Sequence, residues 1–358
     1  MYKQNSCRKI LLFTLGAIGG AERMSLTIGK LLGNSDKFDV EFVILGDDRR
    51  ILDFMPGGYG AESIPFNTKS VMSVFRIYRK IRQAAPDVVF GTQARINPQI
   101  IAAARFAGKK VIVRSSGMVG DYTGLKFWMV KLLFRFAHRV IAQQDQMRLE
   151  IIDKCHVNPD NVVTIKNLLD IDTIRKKIDS PSPYGKDKGV NFVNVARVAP
   201  GKAQDIAIRA FSIVHVSMPD ANLYFVGPQD EDKKEYNQEL LSLIRELNLV
   251  DSVHFVGYVD NPYVWVRNCD CFVFPSRKEG LPNALIEASY LGIPCVASRC
   301  LDIIGEIIED GYNGYTFAVD DVEGLADGMV KALKLKDFKM IYKPSLKENY
   351  IELFESVR

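Results

Sequence analysis

Residues 269–297, CDCFVFPSRKEGLPNALIEASYLGIPCVA, constrain the fold more than any other stretch of the chain. Cys271 to Phe274 is a short, wholly apolar run closed by Pro275, the pattern of a strand buried on both faces. Pro282 stands where a helix begins, because its fixed φ suits the first turn and its missing N–H is not needed there. Ala284 to Leu291 is helix-forming, and Gly292 with Pro294 stops it before a second apolar run. Strand, loop, helix and strand in this order make a parallel crossover, which belongs to a sheet covered by helices on both faces. The loop Ser276, Arg277, Lys278, Glu279, Gly280 hangs from the C-terminal end of the first strand, the edge where doubly wound sheets bind ligands. The free amides of the following helix favour an anion. Glu279 lies in the loop and Glu287, eight residues on, in the helix body. On residue type alone, such carboxylates are ordinarily solvated; together they can also reach two parts of one hydroxyl-rich ligand.

The segment E-G-L-P-N-A-L-I-E, with P-S before it and G-x-P-C-V-A after it, resembles the E-x7-E signature of family 4 glycosyltransferases of the GT-B fold. That resemblance implies an α/β architecture of two Rossmann-like, doubly wound parallel-sheet domains facing a cleft. It implies that Glu279 contacts the donor sugar's hydroxyls and that Glu287 holds the nucleotide ribose. Gly280, Leu281, Pro282, Asn283 and Ala284 are expected along the donor between them.

A length of 358 residues suits two domains rather than one core. The charge is unevenly divided. Residues 1–178 carry 28 Lys and Arg against 16 Asp and Glu, and residues 179–358 carry 19 against 27. A basic half beside an acidic one points to an anionic partner for the first: membrane lipid, a polyprenyl diphosphate or nucleic acid. The six cysteines, at 7, 155, 269, 271, 295 and 300, have no C-x-x-C or metal-ligand spacing, and buried free thiols in a reducing cytosol are expected. Lys3, Arg8 and Lys9 before the apolar run Ile10 to Ala21 mimic a secretory leader; a first buried strand, Ile10 to Leu15, is the preferred reading, since cleavage would remove the glycine loop after it. No apolar run reaches the roughly 18 residues of a spanning helix.

Arg8 to Leu15, the loop Gly16-Ala17-Ile18-Gly19-Gly20 and a helix Ala21 to Leu32 make a strand, glycine loop and helix that let backbone amides close on an anion. A tight turn without a ligand fits the same residues, and the spacing is not G-x-G-x-x-G. G-G-A-E resembles the family's loop facing the donor diphosphate and the acceptor, which places Gly19 and Gly20 at the donor. Strands follow at Val40–Leu45, Val88–Gly91, Lys110–Arg114, Val140–Gln143 and Val162–Ile165, with an amphipathic helix over Val71–Gln83. Many family members carry a His after the Val88–Gly91 strand and a His-Gly after the next. Here no His precedes position 138, and the corresponding stretches read Thr92-Gln93-Ala94-Arg95 and Arg114-Ser115-Ser116-Gly117. Gln93, Arg95, Arg114 and Ser115 are therefore the acceptor-side candidates. Residues 125–140, LKFWMVKLLFRFAHRV, read as a helix with Lys131, Arg135 and His138 or Arg139 on one side and Leu125, Trp128, Leu132 and Phe136 on another. It fits an anionic membrane surface and equally a core helix with a wet basic face.

Residues 179–189, DSPSPYGKDKG, have a linker's composition, placing the boundary between residues 1–178 and 179–344. Val190 to Ala196 is a strand and Ala203 to Val214 a helix. N-V-A-R-V-A-P-G-K-A-Q-D resembles the family's R-x4-K motif, in which two cations, here Arg197 and Lys202, grip the donor diphosphate and make a metal unnecessary. Lys202 in a first helical turn opposes the helix dipole unless an anion is near. Strands Ala221–Val226 and Val253–Val256 end in Gly227 and Gly257, which resemble loops bordering the nucleotide base. Asp230 to Glu235 reads as a solvated acidic face. Gly311-Tyr312-Asn313-Gly314 resembles the turn of the family's N-G-x-x-F, and residues 345–358 are expected to form a helix that crosses back to the first domain.

The expected function is retaining transfer of a hexose or N-acetylhexosamine from a nucleotide sugar, UDP-linked, to a glycan or polyprenyl-diphosphate-linked acceptor in bacterial surface polysaccharide biosynthesis. No cofactor or metal is expected, and the location is cytoplasmic, peripheral at the inner face of the cell membrane. A nucleotide-sugar hydrolase or epimerase would use the same donor residues. A non-enzymatic basic protein binding nucleic acid or membrane is the remaining alternative; no interleaved aromatic and basic platform supports nucleic acid.

Overall fold

The computed structural model describes residues 7–17, 19–55, 57–68, 70–184, 189–229 and 233–357. Lys3, Ile18, residues 185–188 of the linker and 230–232 of the acidic run lie outside the described residues, as do the side chains of Asp121 and Leu125. The chain divides into two compact units, residues 1–168 with 344–358, and residues 169–343.

The first unit is a seven-stranded, wholly parallel sheet. Its strands are β1 (Arg8–Leu15), β2 (Phe38–Leu45), β3 (Ala61–Ile64), β4 (Val88–Gly91), β5 (Lys110–Arg114), β6 (Arg139–Ala142) and β7 (Val162–Thr164), in the order β3-β2-β1-β4-β5-β6-β7. The apolar run of β1 is sorted by the pleat. Leu11, Phe13 and Leu15 enter one core with Ile77, Ile100, Val130 and Met147 of the helices that follow β3 to β6. Ile10 and Leu12 enter the other, with Ile28, Tyr350 and Phe354. Burial on both faces explains why the strands read as continuous apolar runs. β3, with the half-exposed sequence AESI, lacks that signal. The helix Lys347–Ser356 belongs to this unit: Phe354 packs edge-on against Phe90, with ring centroids 5.0 Å apart, and Arg8 Nη1 donates to Phe354 O at 2.7 Å.

Residues 125–140 are not one helix. The α-helix covers Gly124–Leu133, a 3-10 turn takes Phe134–Phe136, and Arg139 already opens β6. His138 is thus off the helical face; its Nδ1 accepts from Val111 N at 3.1 Å, and burial, aided by Lys110, Arg105 and Arg139, holds it below the usual histidine range.

The second unit is a six-stranded parallel sheet of β8 (Asn191–Val195), β9 (Asn222–Val226), β10 (Val253–Gly257), β11 (Cys271–Phe274), β12 (Cys295–Ser298) and β13 (Gly314–Phe317), in the order β10-β9-β8-β11-β12-β13. The unit begins at residue 169, before the linker composition, because helix Ile171–Lys177 is tied into it: Lys177 Nζ donates to Asp260 O at 3.0 Å and Asn261 Nδ2 to Lys177 O at 2.7 Å. Cys271 and Cys295 are buried free thiols whose pKa burial raises well above the ordinary value. In each sheet the connection reverses direction once, between β1 and β4 and between β8 and β11, and the crevice outside those strand ends is where open α/β sheets take ligands.

Candidate functional site

At the reversal point of the second unit, two loops are brought together. The segment after β8 runs through Arg197 to a 3-10 turn, Pro200–Lys202, and then Ala203, whose φ of 53° separates that turn from helix Gln204–Ser217. Lys202 therefore does not occupy a first α-helical turn, and the helix-dipole expectation lapses. Its anion is within the protein: Lys202 Nζ is paired with Glu279 Oε1 from the loop after β11. The two side chains are 26% and 11% exposed, dry enough to be aligned and open enough for the ammonium to meet a ligand. Ser276 Oγ donates to the same Glu279 oxygen at 3.0 Å, and Ser298 Oγ, at the end of β12, donates to Ser276 O. An ammonium has three donors, so Lys202 can keep Glu279 and still grip an anion. Burial pushes the nearby Cys300 thiol up to about 11, with the Glu279 charge adding to the effect, so it is a neutral group at pH 7.

A second bridge, which the sequence does not announce, holds these loops in register. Arg277 Nη1 and Nη2 donate to Asp205 Oδ1 and Oδ2 at 3.0 and 2.7 Å, Nη1 also to Pro200 O at 2.8 Å, and Nε to Asp320 Oδ1 at 2.6 Å. Its backbone N–H donates to Gly201 O at 2.9 Å. Tyr236 OH donates to Asp205 Oδ1 at 2.7 Å. Burial pushes the Asp205 carboxyl up, but the Arg277 and Tyr236 hydrogen bonds more than offset this and leave it below the usual carboxylate value. Fully buried Gln204 does similar work on the Arg197 segment, donating to Arg197 O at 3.1 Å and accepting from Ala199 N at 3.4 Å. Asp205 and Gln204 look like ordinary first-turn residues in sequence, and Asp320 carries no local signal at all.

The other donor-side candidates line the same edge. Gly280 is half-buried and Leu281 and Pro282 are buried. Helix Asn283–Tyr290 starts one residue later than the proline suggests, with Pro282 as its uncapped flank, Asn283 and Ala284 in its first turn, and half-buried Glu287 one turn in. Arg197 is exposed after β8. Gly227, at φ 146°, has no room for a side chain: a Cβ would lie 2.2 Å from Ala196 O. Its N–H donates to Gly257 O at 2.8 Å, so the loops after β8, β9 and β10 meet through glycine backbone.

At the reversal point of the first unit the buried groups are neutral. Thr92 Oγ1 donates to Phe13 O at 2.9 Å, and Gln93 Nε2 to Thr14 Oγ1 at 3.4 Å. Gln93 is 3% exposed and its Oε1 accepts no hydrogen bond among the described residues. Arg95 is exposed. Ser115 is buried, its Oγ donating to Gly117 O at 3.0 Å. Arg114 corrects the expectation of a site-lip cation: it is 1% exposed, with Nη2 on Asn167 Oδ1 and the Tyr350 phenol beside it. The side chain turns inward to Asn167 and Tyr350, and it cross-links β5 to the segment after β7. Gly19 precedes helix Gly20–Gly33 in extended conformation, and a Cβ there would lie 2.5 Å from Glu22 Oε2.

Known proteins match along the whole described architecture. Residues 18–173 match the family described as Glycosyltransferase Family 4, and residues 175–349 the family Glycosyl transferases group 1. An uncharacterized glycosyltransferase of Methanocaldococcus jannaschii is 29% identical over 65% of this chain and 60% of its own length. N-acetylgalactosamine-N,N'-diacetylbacillosaminyl-diphospho-undecaprenol 4-alpha-N-acetylgalactosaminyltransferase of Campylobacter jejuni is 25% identical over 94% of this chain and 93% of its own. The crystal structure of Anabaena HepE in complex with UDP and glucose superimposes with a TM-score of 0.77 at 20% identity, covering 98% of this chain and 95% of that one. With two parallel α/β units, a family match in each and GT-B neighbours across nearly its full length, this chain belongs to the family 4 glycosyltransferases.

Proposed function

We propose that the enzyme transfers a hexose or N-acetylhexosamine, with retention of anomeric configuration, from a UDP-linked donor to a hydroxyl of a polyprenyl-diphosphate-linked glycan in surface polysaccharide biosynthesis, at the inner face of the cell membrane. The observation that carries this is the Lys202–Glu279 pair at the reversal point of the second sheet, beside an uncapped helix start. A cation and a carboxylate side by side suit a ligand that is anionic at one end and rich in hydroxyls at the other. The UDP-bound relative and the undecaprenol-linked substrate named for the Campylobacter relative support the two ends of the reaction.

In the proposed reaction the bond from the anomeric carbon to the diphosphate oxygen breaks. A bond to the acceptor oxygen forms on the same face, and the acceptor's proton leaves with the diphosphate. Lys202 and Arg197 offset the charge growing on the leaving group, a contribution strongest when prearranged in a dry site, and this supports metal-independent transfer. Glu279 orients the sugar, Glu287 accepts from the ribose hydroxyls, and Gly280 to Ala284 lie along the donor, with Gly227 and Gly257 at the base. Gly19 and Gly20, at the start of the first helix of their own unit, offer backbone amides suited to an anionic group of the donor. Gln93 receives the acceptor with Arg95, while Ser115 shapes the adjoining loop.

The test is turnover with a panel of nucleotide sugars, with and without a polyprenyl-diphosphate glycan and with EDTA present, the product's anomeric configuration being read by NMR. Transfer from a UDP-sugar with retention is expected. Hydrolysis or epimerisation alone, an inverted product, or activity lost to EDTA and restored by Mg²⁺ or Mn²⁺ would refute the corresponding part.

A further inference from the structure

The basic excess of residues 1–178 is not spread over them. Residues 66–140 contain 14 Lys and Arg and only 2 Asp and Glu, whereas the rest of residues 1–178 contains 14 of each. This segment builds the helices Val71–Ala84, Asn97–Phe106 and Gly124–Leu133, which pack side by side on one face of the first sheet. Their inward residues, such as Ile77, Ile81, Ile100 and Val130, make the core of that face. Lys80 and Arg114 are buried, Lys80 between Glu41 and Glu62, but Arg76, Arg79, Arg82, Arg105, Lys131 and Arg135 project from these helices and the turn after them and make that side of the unit cationic. Of the segment's two carboxylates, Asp87 is engaged at the far end of the strands, accepting from Lys9 N at 2.8 Å.

Large apolar side chains protrude from the same side. On the first helix the outward stripe begins with Val71, Met72 and Phe75, which are 83%, 54% and 55% exposed, and continues with the exposed Arg76, Arg79 and Arg82. Gln99 Nε2 donates to Thr68 O at 2.7 Å, joining the start of this helix to the next one. From the other two helices and the turn after them project Phe106, Trp128, Leu132 and Phe136. Lys131 Nζ stands 5.3 Å over the Trp128 ring, and the Arg135 guanidinium 6.0 Å over Phe136. Exposed apolar side chains interleaved with cations cost solvation free energy in water and match the boundary between anionic headgroups and acyl chains.

We infer that this three-helix face docks flat on an anionic phospholipid bilayer, with Met72 and Phe75 reaching the acyl boundary and Arg76, Arg79 and Arg82 lying in the headgroup layer. Charge complementarity selects this occupant. A second copy of the chain would bring the same cationic side against itself. A nucleic acid would neutralise the cations but leave the protruding side chains in water. The helices start at the C-terminal edge of the strands, the edge that carries Gln93, so a docked face would hold that edge beside the membrane in which a lipid-linked acceptor resides. The inference deepens the proposed function and rests on it only for this purpose of the contact.

The test is co-sedimentation of the full chain with phosphatidylcholine vesicles and with vesicles containing 30% phosphatidylglycerol, at low and high salt. Binding to the anionic vesicles is expected, falling with salt. Each cation near the surface contributes about fivefold in affinity, so the triple variant Arg76→Gln/Arg79→Gln/Arg82→Gln should bind roughly 10²-fold more weakly. Met72→Ser/Phe75→Ser should lose about tenfold, and both should keep the wild-type melting temperature and UDP affinity. Equal binding to neutral vesicles, no binding at low salt, or full binding by the triple variant overturns the inference. So does self-association in sedimentation velocity that the same variants abolish. Donor turnover in detergent is unaffected by any of these results, so failure of the membrane contact and failure of the transferase reading are separate outcomes.

Discussion

The two sheets reverse their connections at equivalent places, yet the side chains at the two reversal points differ in kind. Outside β8 and β11 stand Lys202, Glu279, Arg277 and Asp205, an ionic set pinned by three ion pairs. Outside β1 and β4 the buried groups, Thr14, Thr92 and Gln93, are all neutral, with Arg95 exposed beyond them, while Arg114, another cation the sequence places at the same edge, is folded into the interior. The difference teaches that topology supplies only the crevice. A charged crevice is suited to a diphosphate, whose binding must be compensated by fixed cations. A neutral one is suited to an uncharged hydroxyl, which an amide can hold by one hydrogen bond.

The comparison breaks most visibly at Lys202. Lys202→Ala should lower kcat by about 10²-fold or more, as for loss of a prearranged electrostatic partner, with the circular-dichroism spectrum unchanged; near-normal turnover would mean that the ionic set is only a loop clamp. Next come the two glutamates. A hydrogen bond to a charged group is worth roughly 1.5–3 kcal/mol, so calorimetry should show Glu287→Ala binding UDP about ten- to a hundredfold more weakly. Glu279→Ala should bind UDP nearly as wild type and lose turnover instead; the reverse pattern would exchange their roles.

Asp205 separates holding the site from doing chemistry. Its folded carboxyl lies below the ordinary 3.8 because of its hydrogen bonds, so its stabilisation is present above pH ~3.8 and lost as the pH falls through the folded value. Asp205→Asn should therefore unfold with about 2 kcal/mol less stability at pH 7, and in denaturant titrations the gap to wild type should shrink as the pH falls below the ordinary 3.8 and through the folded value; a pH-independent gap would mean packing rather than charge. The smallest effect belongs to the neutral crevice. Gln93→Leu should raise the acceptor KM about tenfold and leave UDP affinity alone. An equal loss in both would erase the distinction between the two crevices.

Most of the second unit was legible because its strands, breakers and carboxylates lie within short segments. The apolar run Cys271–Phe274, Pro282 and the two glutamates state strand, helix start and ligand edge locally. The Arg277 bridge was not legible, since Asp205 and Asp320 lie 72 and 43 residues away and no local period links them. Arg114 misled for the opposite reason. A cation at a strand end ordinarily reaches solvent, and only the packing of Asn167 and Tyr350 reveals that this one is enclosed. Lys202 was placed by its neighbours rather than by its own type: the left-handed Ala203 that detaches it from the helix has no sequence signature, since alanine is an ordinary helix former.

The closing helix of the first unit carries a consequence for synthesis. Tyr350, Leu353, Phe354 and Val357 complete the core that also contains Phe38 and Phe90, and Arg8 reaches the carbonyl oxygens of Phe354 and Val357 at 2.7 and 2.5 Å. The ribosome delivers these residues only after the whole of the second unit. At the usual 5–20 residues per second, the face beneath that helix waits on the order of 10–40 s after β7 has emerged. During that interval the nascent chain displays Phe38 and Phe90 uncovered, so the unit encoded first is the last to mature, and the interval is when a chaperone has most to offer it.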